Sequence, residues 1–244
     1  MLDLPRVMGH RGAAGAAPEN TLAGLRAAVA LGMTWVEFDV MLSGDGVPVL
    51  FHDDNLKRIT GRDALMAETP FAALADLEAG VWFAPGFAGE PIPSLEAALA
   101  LALDLGLTPN VEIKPTRGRD EETAAAVLDV IARRWPAGRP GPLISSFSRA
   151  VLGVVKDRAP ALPRALIAWR LPRDWKTAAT ALDCSNLHIA GRALNEKRIG
   201  WIKRAGYQLA AFTVNDPKKA RRLIGFGVDC IITDRPDVIS EALG

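Results

Sequence analysis

The chain has 244 residues, 29 Lys and Arg against 28 Asp and Glu for a formal charge of +1, 49% hydrophobic and 23% charged residues. That profile fits a globular protein with a sizeable core, long enough for one barrel or two small domains. Near-neutral charge with no long basic block excludes the electrostatic footprint of general nucleic-acid binding or of anchoring to anionic membrane, so an anionic substrate must be held by a local site.

Short β-type runs recur at 6–10, 34–40, 47–52, 110–114, 143–147, 164–169, 186–189, 208–214 and 229–233. Segments of helical spacing with Gly or Pro punctuation separate most of them. Thr21 caps one helix running to Gly32, Ser94 one to Gly106, Asp120 one to Arg134, and Asp216 followed by Pro217 begins another. Further helices are expected over 149–159, 175–182, 196–205 and 236–243. Between the second and third runs stand only Met41-Leu42-Ser43-Gly44-Asp45-Gly46, too few for a helix. Gly44-Asp45-Gly46 is hairpin chemistry, so these two runs should pair antiparallel.

Setting that hairpin partner aside leaves eight strands, each followed by one helix, which is the pattern of a closed (β/α)₈ TIM barrel. No Pro/Ser-rich linker divides the chain, and a single domain over 1–244 is expected. The segment 53–93 breaks the repeat with Gly61, Gly80, Pro85, Gly86, Gly89, Pro91 and Pro93 among Trp82, Phe83 and Phe87. Insertions of this length usually carry function, and one leaving a strand near the active face can partly cover the barrel mouth. Cys184 and Cys230 lie far apart in no Cys-x-x-Cys spacing, which suggests a reducing compartment and neither a disulfide framework nor a thiolate metal site. The first apolar run is too short for a signal-peptide core, and 97–103, the longest helical apolar stretch, is far below the ~20 residues of a membrane span. A cytoplasmic protein without stable membrane association is expected.

The chemistry gathers at strand ends. His10 and His52 close the apolar runs Val7-Met8-Gly9 and Val49-Leu50-Phe51. Imidazoles titrate near neutrality, so the pair can supply one general base and one general acid. In Trp35-Val36-Glu37-Phe38-Asp39-Val40, alternation puts Glu37 and Asp39 on one face. Two carboxylates sharing a space repel, and a divalent cation removes that penalty by taking oxygens from both. Glu112 and Lys114 share a face in Asn110-Val111-Glu112-Ile113-Lys114, giving a third carboxylate and a point charge for an anionic oxygen, unless Lys114 is only an ion-pair partner of Glu112. Three carboxylates suit a hard cation, Mg²⁺ or Ca²⁺, better than zinc. Arg11 offers a forked donor for phosphate or carboxylate. Folding the hairpin about Gly44-Asp45 puts His52 opposite Glu37 and Leu50 opposite Asp39, which would bring the second histidine beside the cation.

His10-Arg11-Gly12, Pro18-Glu19-Asn20-Thr21, Glu37-Phe38-Asp39-Val40, Ser43-Gly44-Asp45-Gly46, Phe51-His52-Asp53, Glu112-Ile113-Lys114, Ser145-Ser146-Phe147, Thr213-Val214-Asn215 and Thr233-Asp234 occur in the order found in the glycerophosphodiester phosphodiesterases. The chain resembles that family over nearly its whole length and looks closest to the compact bacterial cytoplasmic branch. The resemblance implies a metal-dependent barrel enzyme that splits glycerophosphodiesters, such as glycerophosphocholine or glycerophosphoethanolamine, into sn-glycerol 3-phosphate and an alcohol. On matching positions it makes Glu37, Asp39 and Glu112 the metal ligands, His10 and His52 the acid/base pair, and Arg11 and Lys114 the phosphate contacts. It further implies attack by the glycerol 2-hydroxyl to give a cyclic phosphate that water opens, and a place in phospholipid turnover.

Phe212 stands where the family often has Trp and would form the apolar wall beside the glycerol. Trp82 either packs over the glycerol or anchors its own loop, and His188 either reaches the substrate or is a satisfied core histidine. Glu19 and Asn20 either position Arg11 or cap the first helix. The same residues leave other functions open: a phosphodiesterase acting on lysophospholipids or another phosphodiester, a phosphoester-binding barrel without catalysis, and a lyase using Lys114 as a Schiff base.

Overall fold

Strand runs whose connections are helices must lie parallel, because each helix carries the chain back to the end where the previous strand began. The computed structural model, which describes residues 2–244, follows that rule. Its strands are β1 (Val7–Gly9), β2 (Trp35–Leu42), β3 (Pro48–Leu50), β4 (Thr108–Ile113), β5 (Leu143–Ser146), β6 (Arg164–Ala168), β7 (Asn186–Ala190), β8 (Gln208–Phe212) and β9 (Cys230–Thr233). They form one sheet in the order β1-β9-β8-β7-β6-β5-β4-β2-β3. β1 also pairs parallel with β2, so eight strands close into a barrel and β3 hangs antiparallel on the outside of the ring.

The helices are α1 (Leu22–Ala30), α2 (Lys57–Thr60), α3 (Phe71–Ala75), α4 (Leu95–Asp104), α5 (Asp120–Arg134), α6 (Arg149–Arg158), α7 (Trp175–Ala181), α8 (Glu196–Arg204), α9 (Pro217–Gly225) and α10 (Pro236–Leu243). Three of the four expected caps operate: the side chains of Thr21, Ser94 and Asp216 accept from the backbone N–H of Gly24, Ala97 and Lys219. Asp120 instead lies in the first turn of α5, after Arg119 at the cap position, and its carboxylate accepts from Ser148 Oγ.

Alternation along the strands divides the core in two. Val36, Phe38, Val40, Val111, Ile113 and Ile144 point outward and pack under the helices with Leu25, Leu99, Val127 and Val151. Met8, Trp35, Leu143, Ala165, Ala210, Cys230 and Ile232 point inward and plug the barrel. Each fully buried aliphatic side chain contributes about 1.5–3 kcal/mol. Next along the same inward faces come Glu37 and Asp39 on β2 and Asn110 and Glu112 on β4, so the polar side chains collect toward the C-terminal strand ends, above the plug.

The hairpin forms, with a register one residue away from the expected one. Val40 pairs with Leu50, Met41 with Val49 and Leu42 with Pro48, so Leu50 is not opposite Asp39 and His52 is not opposite Glu37. The reason lies in the turn. Ser43 N–H donates to Val47 O at 3.0 Å, and Gly46 adopts φ 83°, making a three-residue loop where a two-residue one was expected. A slip of one residue would flip every side chain within a strand. β3 ends at Leu50, however, and His52 is aimed by the segment that follows.

That segment begins the insertion. Leu56, Ile59, Met66, Leu74, Ala79 and Ile92 bury themselves against Met41, Val49 and Phe51, forming a small core of their own on the hairpin. The insertion thereby fixes the chain on both sides of His52.

Close backbone packing positions the other histidine. Gly12 has φ 88°, and a Cβ there would lie 2.7 Å from the backbone carbon of Gly24 in α1. Its N–H donates to Glu37 O at 3.0 Å, tying the loop after β1 to β2. Gly12→Ala should therefore lower the free energy of unfolding by roughly 2–4 kcal/mol, from the left-handed backbone and the clash together. Urea denaturation measures it, and a change below about 0.5 kcal/mol would contradict this packing.

Candidate active site

Glu37 and Asp39 are each 2% exposed, and Glu112 is half-buried beside them. Each of the three offers one carboxylate oxygen within 4.8 Å of the others. The parallel register explains the cluster: Glu37 is level with Asn110 and Asp39 with Glu112 on the adjoining strand. Burial raises the Glu37 carboxyl well above its ordinary value, and the charges of Asp39 and Glu112 add to the rise. Burial and then Asp39 push Glu112 up to about 8. Glu37 Oε1 is enclosed and has no hydrogen-bonding partner among the described residues. An enclosed carboxylate oxygen without a donor, beside two more carboxylates, is the donor set a hard divalent cation requires.

Compensation is partial. Arg11 Nε lies 3.2 Å from Asp39 Oδ2, and its Nη1 donates to Glu19 Oε1 at 2.6 Å. Asn20 donates to Asp39 Oδ2 at 2.9 Å and accepts the Asp39 N–H at 3.1 Å. Arg11 and Asn20 both take positive φ, 50° and 55°, so the loop holds two strained residues in order to aim them at β2. Glu19 thus positions Arg11, Asn20 braces Asp39, and the helix cap is left to Thr21. Lys114 lines the outer cleft next to Glu112 and forms no ion pair with it.

Each histidine is anchored by an aspartate. His10 Nδ1 lies 2.6 Å from Asp234 Oδ1, leaving Nε2 directed toward the cluster, 3.9 Å from Glu37 Oε2. Asp234 also accepts from Asn215 Nδ2 at 2.7 Å. Burial alone would raise Asp234, but the His10 contact and the Asn215 hydrogen bond outweigh it and hold the carboxyl below its usual range. His52 Nδ1 lies 2.6 Å from Asp53 Oδ1. Burial works against the Asp53 charge too, yet hydrogen bonds from Arg58 and His52 hold its carboxyl down to about 2. Arg58 continues to Glu19 at 2.7 Å, so an unbroken chain of charges runs from His52 through Asp53, Arg58, Glu19 and Arg11 to Asp39. Burial lowers the His52 imidazole pKa more than Asp39 raises it.

Asp53, Asp234, Arg58 and Asn215 received no role from the sequence. The adjacency of His52 and Asp53 was a usable signal. For Asp234 the signal was the closure of the barrel, which sets Gly9 level with Thr233 and so His10 beside Asp234.

The remaining candidates separate. His188 is 1% exposed, points into the barrel and shares a small cavity with His10, Glu37, Asn110, Glu112 and Phe212. Burial drives its pKa down to about 4, so it is a neutral ring. Its Nε2 has no partner, and neither does the amide of Asn110, so the picture of a satisfied core histidine does not hold. Phe212 stands at the upper edge of that cavity. Trp82 is anchored within the insertion, where its indole donates to Ala79 O at 2.8 Å and packs edge-on against Phe83.

The model of the glycerophosphoryl diester phosphodiesterase family matches residues 10–238. A glycerophosphodiester phosphodiesterase of Caldanaerobacter subterraneus is 31% identical over 238 residues, covering 96% of this chain and 95% of that protein. Among solved structures, an Oleispira antarctica phosphodiesterase in complex with the product sn-glycerol-3-phosphate is 42% identical with a TM-score of 0.96, covering 98% of this chain and 97% of that one. A glycerophosphodiester phosphodiesterase from Agrobacterium tumefaciens is 26% identical with a TM-score of 0.79, covering 98% and 100%.

The crowded carboxylates set a pH dependence. Glu112 is raised from 4.5 to about 8 on folding, so between those values the folded chain holds a proton that the unfolded chain has released. Its contribution is present at low pH and is lost as pH rises through that window. In EDTA, the urea midpoint should fall between pH 5 and pH 8, and Glu112→Gln should flatten the fall. A midpoint that is level or rises over that range would contradict the repulsion.

Proposed function

Given that the chain belongs to the glycerophosphoryl diester phosphodiesterase family, a class of phosphoric diester hydrolases, we propose that it splits water-soluble glycerophosphodiesters, such as glycerophosphocholine or glycerophosphoethanolamine, into sn-glycerol 3-phosphate and an alcohol. The observation that carries this reading is the enclosed cluster of Glu37, Asp39 and Glu112 flanked by two aspartate-anchored histidines. The three carboxylates would hold one hard divalent cation, Mg²⁺ or Ca²⁺. When bound, that cation supplies positive charge to the phosphoryl oxygens as the transition state gains negative charge.

The protein's own groups do the rest. Lys114 at the outer cleft and the Arg11 guanidinium supply fixed positive charge for a phosphodiester. One histidine takes the proton of the glycerol 2-hydroxyl as its oxygen bonds to phosphorus. The other gives a proton to the departing alkoxide as its P–O bond breaks. Water then opens the cyclic phosphate with the two roles exchanged. Asp234 and Asp53 fix Nδ1 of each ring, leave Nε2 as the working atom, and stabilise the imidazolium that forms. Phe212 and the neutral ring of His188 line the inner cavity, and the glycerol backbone is their proposed contact; Trp82 serves the insertion. A Schiff base on Lys114 would leave all three carboxylates idle.

The purified protein should release glycerol 3-phosphate from glycerophosphocholine, lose that activity in EDTA and regain it with excess Mg²⁺ or Ca²⁺; activity indifferent to EDTA would sink the metal assignment. His10→Ala and His52→Ala should each lower kcat by ~10²–10⁴-fold with an unchanged circular dichroism spectrum. Near-native turnover in either variant would remove that residue from the mechanism.

A further inference from the structure

Three aromatic side chains meet at the C-terminal strand ends. Phe147 follows β5, Trp169 follows β6 and Phe212 closes β8. The rings of Phe147 and Trp169 stack at 5.2 Å, and Phe212 meets them at 5.9 and 5.4 Å. Phe147 is 38% exposed and Trp169 is 55% exposed, a large apolar area to leave open. The trio also bridges two spaces. Phe212 lines the inner cavity with Glu37, Glu112 and His10, whereas Phe147 lines the outer cleft of ≈ 430 Å³ with Glu112, Lys114 and Arg117. A phosphodiester at the carboxylate cluster would have one ester arm directed along this platform.

The outer cleft carries Glu112 and Asp120 beside Lys114 and Arg117, and its cations are not paired with those carboxylates. Arg192, exposed after β7, lays its guanidinium over the Trp169 ring at 5.2 Å. Arg192, Lys114 and Arg117 form no ion pair among the described residues, in contrast to Arg11, Arg58 and Arg119, which all do. A guanidinium held over an indole has less side-chain freedom and keeps N–H groups for an anion, which suits it to grip a carboxylate or phosphate by two hydrogen bonds. A quaternary ammonium fits poorly, because the attraction of the Trp169 ring for a cation is already met by Arg192 and a second cation would face it at short range.

We propose that this platform is the subsite for the leaving alcohol, and that it selects glycerophosphodiesters whose alcohol carries a second anionic group, a phosphate or carboxylate, over those ending in choline. The glycerol or polyol carbons of such an alcohol would lie on the Phe147 and Trp169 rings while Arg192 takes the anion. This assignment rests on the phosphodiesterase reading above and adds the class of alcohol to it.

The test compares kcat/KM for glycerophosphocholine with that for 1,3-bis(glycerophospho)glycerol, whose leaving alcohol carries a second phosphodiester, at fixed ionic strength with metal present. The wild-type enzyme should favour the second substrate by at least about tenfold, and Arg192→Gln should bring the ratio to within about threefold of one, chiefly through KM. Arg192→Lys, which keeps charge without the planar fork, should leave an intermediate ratio. A wild-type ratio near one or favouring choline, or a ratio unchanged in Arg192→Gln, would overturn the subsite. Hydrolysis of neither substrate would instead count against the underlying phosphodiesterase reading, so the two failures are distinct.

Discussion

Mutual repulsion of three carboxylates enclosed at one end of a barrel is the constraint that organises the rest of the site. Glu37, Asp39 and Glu112 come together because parallel pairing of β2 and β4 leaves no other place for inward residues at that level. The chain spends backbone strain at Arg11 and Asn20 to hold one guanidinium and one amide against Asp39, and still leaves Glu37 Oε1 without a donor. A structure that only needed stability would replace such a group with apolar residues. Its retention points to a charge brought from outside.

The two histidines reach the cluster by different structural routes, and each route explains an otherwise odd feature. His10 is held by the seam of the barrel, since its aspartate arrives just after the last strand, 224 residues later. His52 sits just past a three-residue strand and would be poorly fixed by that strand alone. The insertion supplies what is missing: its apolar core pins Phe51, and Arg58 from α2 clamps Asp53 and Glu19 together. The network that orients one base is thus continuous with the network that positions Arg11.

Much of this was legible in the chain. Alternation in Glu37-Phe38-Asp39 and in Asn110-Val111-Glu112 was enough to put the carboxylates on the inner face, and helix-length spacers dictated parallel strands and the eight-fold closure. The hairpin register was not legible, because choosing between a two-residue and a three-residue turn depended on whether Gly46 took a left-handed conformation. The partner of His10 depended on closure of the ring, a contact that no local pattern reports. His188 is an intermediate case: the sequence left it open between substrate contact and satisfied core, and only the packing revealed that its Nε2 finds no partner and shares the cavity of the carboxylates.

Diffraction tests most directly whether the unbalanced charge at the barrel mouth seats one divalent cation. Crystals soaked in Mn²⁺ and measured at the manganese absorption edge should give a single strong anomalous peak within bonding distance of Glu37, Asp39 and Glu112. No peak there, or a dominant peak at another group of residues, would contradict the account.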